Sequence, residues 1–124
     1  MASRPILEPQ QVITNGNMTS AITSMVTIIT NLSMMSYTYT WAGTSPVGAV
    51  SVQVSNDYSL NSDGSVGNSG TWNTLPLSDS AAVSGNSGSG MIDIDQIGAY
   101  AIRTVYTPTS GTGTLQCFFK GKVA

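Results

Sequence analysis

Ser33-Met34-Met35-Ser36-Tyr37-Thr38-Tyr39-Thr40-Trp41 and, shortly after it, Val47-Gly48-Ala49-Val50-Ser51-Val52-Gln53-Val54-Ser55 decide the fold class. In the first stretch Met35, Tyr37, Tyr39 and Trp41 share one side, and Met34, Ser36, Thr38 and Thr40 the other. In the second, Val50, Val52 and Val54 alternate with Ala49, Ser51 and Gln53. A period of two belongs to a strand with one buried face, and β-branched and aromatic residues suit that surface. Between the two runs, Ala42-Gly43-Thr44-Ser45-Pro46 reads as a turn.

The same alternation recurs outward from this pair. Over residues 99–107, Tyr100, Ile102, Thr104 and Tyr106 oppose Ala101, Arg103 and Val105. Over residues 114–123, Leu115, Cys117 and Phe119 oppose Gln116, Phe118 and Lys120, with Pro108-Thr109-Ser110-Gly111-Thr112-Gly113 as the hairpin loop between. Residues 91–97 set Ile92 and Ile94 against Asp93 and Asp95, and residues 71–77 carry Trp72 and Leu75 on a short strand. Residues 56–70 are a polar hairpin connection around Asp63-Gly64. Gly85-Asn86-Ser87-Gly88-Ser89-Gly90 has the composition of a flexible stretch that builds no core. Residues 18–30 admit two readings. Ala21, Met25, Ile28 and Ile29 fall near helical spacing, while the Thr, Val and Ile content favours strand.

Seven or eight short strands with frequent turns describe an all-β domain over residues 18–124, a single antiparallel β-sandwich or jelly roll. Val50, Val52, Val54, Ile92, Ile94, Ile102, Leu115, Cys117 and Phe119 are its expected shared interior. Residues 1–17 show no period. Pro5 and Pro9 favour extended chain, and Ile6, Leu7, Val12 and Ile13 are too apolar for a free tail. With Arg4 they read as an extended N-terminal arm, docked on its own domain or on a neighbour.

Composition narrows function. The 124 residues include no His, one Cys, four basic and six acidic side chains, with no Lys or Arg between Arg4 and Arg103. The most adaptable acid–base group is missing, and the abundant Ser and Thr have no base to activate them. The expectation is a non-enzyme without catalytic residues, cofactor or metal. Cys117 forbids an internal disulfide and reads as a small hydrophobe on a strand. A net charge of −2 lacks the footprint of a phosphate binder, so no nucleic-acid partner is expected. Arg103, Lys120 and Lys122 read as charges that protect strand edges. No apolar run follows Arg4, and Met25-Val26-Thr27-Ile28-Ile29 is too short to span a bilayer. Synthesis in the cytoplasm and no membrane partner are expected. Only 8% of residues are charged, against about a quarter in ordinary soluble domains. The outer surface is therefore Ser, Thr, Asn and Gly, or is covered by further copies.

Three constellations could carry chemistry. Asp93 and Asp95 lie on one side of a strand, about 7 Å apart by strand geometry, and also fit a solvent-facing edge. Ser59, Asn61, Asp63 and Gly64 follow a calcium-loop order, but Gly70 stands where the bidentate Glu belongs, which leaves a hairpin turn. Tyr39, Trp41 and Trp72, with Tyr37, could make an aromatic platform for a sugar ring or peptide, or could fill the core.

The same residues carry a resemblance. Thr40-Trp41-Ala42-Gly43-Thr44-Ser45-Pro46-Val47-Gly48 leads into Val50-Ser51-Val52-Gln53-Val54, and Gly70-Thr71-Trp72-Asn73-Thr74-Leu75 follows. Tyr100-Ala101-Ile102-Arg103 and Ser110-Gly111-Thr112-Gly113-Thr114-Leu115 close the pattern. Over residues 34–122 the chain resembles small β-sandwich virion structural proteins of bacteriophages. That likeness implies a decoration, cement, fibre or tail-associated component located in the virion. It also implies partners among capsid or tail proteins and copies of itself, and it supplies no catalytic residue.

Overall fold

The computed structural model describes residues 6–29, 32, 34–76, 82–95 and 99–122. Among them every regular element is a strand: β1 (Ile6–Asn17), β2 (Ile22–Thr23), β3 (Thr27–Ile28), β4 (Met34–Ser55), β5 (Ser59–Leu60), β6 (Val66–Asn68), β7 (Asn73–Leu75), β8 (Ala82–Val83), β9 (Ser87–Asp95) and β10 (Ala101–Lys122). Eight strands form one antiparallel sheet, and β5 and β6 form a separate small hairpin.

The sheet is organised around one long ribbon. β4 and β10 pair along their whole length, from Ala101↔Ser55 to Lys122↔Met34. Along residues 34–42 and 114–122 the ribbon is flanked by β9 and β1, giving the local order β1-β10-β4-β9. Its other half is flanked by β2 and β3 on the β10 side and by β7 and β8 on the β4 side.

Side-chain parity changes midway. Met35, Tyr37, Tyr39 and Trp41 are buried at odd positions of β4, whereas Val50 and Val52 are buried at even ones. On β10 the order is reversed, with Ile102, Thr104 and Tyr106 followed by Leu115, Cys117 and Phe119. Two bulges explain this. Between Pro108↔Gly48 and Ser110↔Val47, β10 carries one extra residue, and between Ser110↔Val47 and Thr112↔Thr44, β4 does. Each bulge turns its strand over by one position, so a single face of the ribbon stays apolar from end to end. Ser45 (φ 46) and Gly111 (φ 84) hold left-handed conformations there. Gly43 and Gly113 pair across the ladder, where a side chain on Gly43 would run into the Thr112 carbonyl. Met18, fully buried, fills the same corner and donates its N–H to the Gly113 carbonyl at 3.0 Å.

The two breaker segments expected to end strands are therefore corrected: residues 42–46 and 108–113 lie inside continuous strands, paired with each other. A Gly-Ser-Pro run resembles a turn locally, and only its partner strand makes it a bulged corner. Of the two dockings open to the N-terminal segment, its own domain or a neighbour, residues 6–17 take the first. From Ile6 onward the backbone is the strand beside β10 (Ile6↔Lys122 to Asn17↔Thr114), with Val12 and Ile13 both 5% exposed in the core. Adjacent strand residues face opposite ways unless a bulge intervenes, and one lies between Gln11 and Ile13. Pro9 falls in another irregularity, between Leu7 and Gln10, where a missing N–H costs the ladder nothing. Arg4 and Pro5 lie outside the described residues, as do the side chains of Ile6, Leu7 and Pro9. In residues 18–29 the strand reading holds for β2 and β3 only, joined by irregular chain, and there is no helix there.

The core joins both halves of the ribbon in one cluster with Val83, Ile92 and Ile94. Tyr37 meets Phe119 edge-on at 5.1 Å between ring centroids. Val54 is only half-buried. The hydroxyls of Tyr37 and Tyr106 are buried with no hydrogen-bond partner among the described residues. A buried unsatisfied hydroxyl destabilises by about 1–3 kcal/mol. Tyr37→Phe and Tyr106→Phe are therefore expected to be neutral or to raise the urea midpoint, and a marked loss on denaturation would mean that each hydroxyl is bonded.

Candidate functional site

Outward from the core, the half of the ribbon at residues 34–42 and 114–122 presents a sheet face that none of the described residues covers. The cross-strand register sets Met91 beside Thr38 beside Phe118 in one row, and Asp93 beside Ser36 beside Lys120 in the next. Met91 is 64% and Phe118 43% exposed, high values for large apolar side chains. Met34, Ser36, Asp93, Lys120 and Lys122 line a shallow concavity of about 320 Å³ at the end of this face. On its β1 side the face is closed by amides. Gln11 Nε2 donates to Gln116 Oε1 at 2.7 Å, and Gln116 Nε2 donates to Asn15 Oδ1 at 2.5 Å.

The three aromatic residues considered as a ligand platform divide between two places. Tyr39 and Trp41 are buried and stacked at 5.9 Å with 19° between planes. They lie across the ladder from Gly90 and Gly88, where an added Cβ would come within 2.5 Å of either ring. Trp41 Nε1 donates to the Gly85 carbonyl at 3.1 Å. The glycine-rich run is thus no flexible stretch, because Ser87–Asp95 is a strand whose glycines seat two rings. Trp72 belongs to a different cluster. Its ring lies 5.9 Å from that of Tyr58, the Arg103 guanidinium sits 4.2 Å from its centroid, and its Nε1 donates to the Ser69 carbonyl at 2.8 Å. Arg103 Nε in turn donates to Gln53 Oε1 at 2.8 Å. Burial lowers the Arg103 pKa from its ordinary value. This stack carries the 56–72 loop over the outer face of the other half-ribbon, leaving the Phe118 face without such a cover among the described residues.

Compared with protein-family models, with curated proteins and with solved structures, the chain matches none. The site must be read from its own chemistry.

Asp57 and Asp63 are engaged locally. The Thr71 N–H at 2.6 Å and the Ser55 hydroxyl at 2.8 Å both donate to Asp57 and hold its pKa below the ordinary carboxylate value. Asp63 is lowered by the Ser65 hydroxyl (2.6 Å) and N–H (3.0 Å) within the β5–β6 hairpin, where Gly64 takes φ 90. Asp93 is exposed beside buried Ile92 and Ile94, and the Asp95 side chain lies outside the described residues. Among the described residues no three His, Cys, Asp or Glu side chains group as metal ligands, and no helix is long and apolar enough to cross a membrane.

Burial pushes the Cys117 thiol up to about 12 and raises Tyr37 further still. The native thiol stays protonated where the unfolded one ionises. Its contribution is complete below the ordinary value of 9.0 and is lost as pH rises toward about 12. Stability is expected to fall by about 1 kcal/mol per pH unit across that range, measured as the urea midpoint between pH 8 and pH 11. An unchanged midpoint would place the thiol in water.

The exposed sheet face was missed by pattern reading, although one signal was present. Phe118 stands among Gln116 and Lys120 on the side opposite the core-facing Leu115, Cys117 and Phe119.

Proposed function

We propose that the chain is a non-enzymatic structural protein of a bacteriophage virion, a capsid decoration, head-fibre or tail-associated component that acts by multi-copy protein–protein assembly. It is made in the host cytoplasm and resides in the virion. The observation that carries this reading is the exposed apolar row Met91–Thr38–Phe118 on a regular sheet face, in a chain with 8% charged residues. Two large apolar side chains exposed on one sheet face, about 9.6 Å apart across Thr38, suit a contact with another protein surface. The reading includes a sandwich. One face of the ribbon is buried to a few per cent along both halves, and a single sheet layer cannot bury its own face. The corner at Ser45 and Gly111 is where the halves fold onto each other. Neither partner class, capsid or tail, is favoured by the geometry.

A second reading, a carbohydrate- or host-surface-binding module, is favoured by the Trp72–Tyr58–Arg103 cluster beside polar loops. The test is co-sedimentation of purified protein with isolated heads and tails, run beside a glycan array. Saturable attachment to virion parts with no glycan signal supports the structural role. A dose-dependent glycan signal without attachment replaces it with the second reading.

A further inference from the structure

We infer that a second copy of this chain docks face to face on the uncovered half-sheet, about a two-fold axis running along β4. This rests on the multi-copy reading and gives it a surface and a geometry. In a face-to-face pair the axis lies in the contact plane, either along the strands or across them. An axis along β4 keeps each row at its own height and exchanges left for right. β9 of one copy then lies over β10 of the other. Asp93 meets the second copy's Lys120, and Met91 meets its Phe118, an ion pair and a sulfur–aromatic contact, each made twice. An axis across the strands instead sets Asp93 over Asp93, lays the apolar row on the charged one, or, through the apolar row, sets Asp93 over Ser89 and Lys120 over Gln116. Only the axis along β4 pairs opposite charges.

Within one chain Asp93 and Lys120 line the same concavity without forming an ion pair. Asp93 and Lys120 flank Ser36 from the two neighbours of β4, two strand spacings or about 9.6 Å apart. The three strands that overlap about this axis, β10, β4 and β9, measure about 14 Å by about 30 Å by strand geometry, about half of the roughly 800 Å² per partner buried in standard interfaces, so the contact is a small one that the two charge pairs orient. Like-charge contacts across an interface suppress association strongly, whereas opposite charges fix register.

The experiment is sedimentation equilibrium of the full chain and of Asp93→Lys, Lys120→Asp, the double exchange and Phe118→Ser, with circular dichroism confirming the fold of each. Wild type is expected to be dimeric. Each single charge reversal should weaken the dimer about tenfold or more, the double exchange should restore it, and Phe118→Ser should leave monomer. A wild type that stays monomeric, or a double exchange no better than its singles, overturns the proposed packing. In that case attachment to heads or tails, measured separately, still decides the wider structural role.

Discussion

Gly111→Ala is expected to lose about 2–6 kcal/mol of stability, the sum of backbone strain and overpacking, whereas Gly85→Ala loses only about 1 kcal/mol. Both glycines hold the same left-handed backbone, at φ 84 and φ 85. Around Gly85 there is open space, so alanine meets the dihedral penalty alone. At Gly111 the added Cβ would lie 2.6 Å from the Ser45 carbonyl carbon and 2.7 Å from Pro46 Cα. Those are backbone atoms of the opposite bulge, and neither can swing aside as a side chain would. The corner must open, and with it the phase change that keeps one face apolar. Domains of this kind have about 5–15 kcal/mol in all, so the midpoint of thermal unfolding should drop by on the order of 10 °C or more. Equal losses for the two variants would show that Gly111 does not face the Ser45 bulge.

Phe119→Ala should cost about 3–5 kcal/mol. Phe119 is fully buried, lies on the central strand β10 opposite Tyr37, and meets that ring edge-on. Truncation removes the aromatic contact and leaves a cavity flanked by strands on both sides, where collapse is hindered. Ile102→Ala, in the other half of the ribbon, should cost about 2–5 kcal/mol. Because both side chains belong to one cluster, each variant should still unfold in a single transition by urea, with one midpoint by fluorescence and by circular dichroism. Separate transitions would divide the core in two.

Much of this was legible in the alternation of residues 35–41, 50–52, 102–106 and 115–119, whose inward members are the buried ones. The pattern reports which side is apolar. It does not report what lies across the ladder, and the misread segments all turn on that. Pro46 and Gly111 look like strand ends because their partners are each other's bulges. Gly88 and Gly90 look like linker because their missing side chains are replaced by Trp41 and Tyr39 from the next strand. Val12 and Ile13 look aperiodic because a bulge turns two consecutive residues inward. The candidate face was hidden for a related reason. Met91 and Phe118 are far apart in sequence, and only the two-strand register through Thr38 places them in one row.

The position of β10 after its partners in chain order governs how a newly made molecule reaches this state. β1, β2, β3 and β4 all pair with it. Until residues 101–122 have been synthesised, those earlier segments have no partner. Their β-rich, sparsely charged surfaces stay open until β10 emerges, and their pairings then close over long sequence separations, the slow kind of folding. Nascent chains of this protein should therefore depend on chaperone protection until β10 has formed. Loss of β10 by a premature stop leaves aggregate rather than a smaller domain.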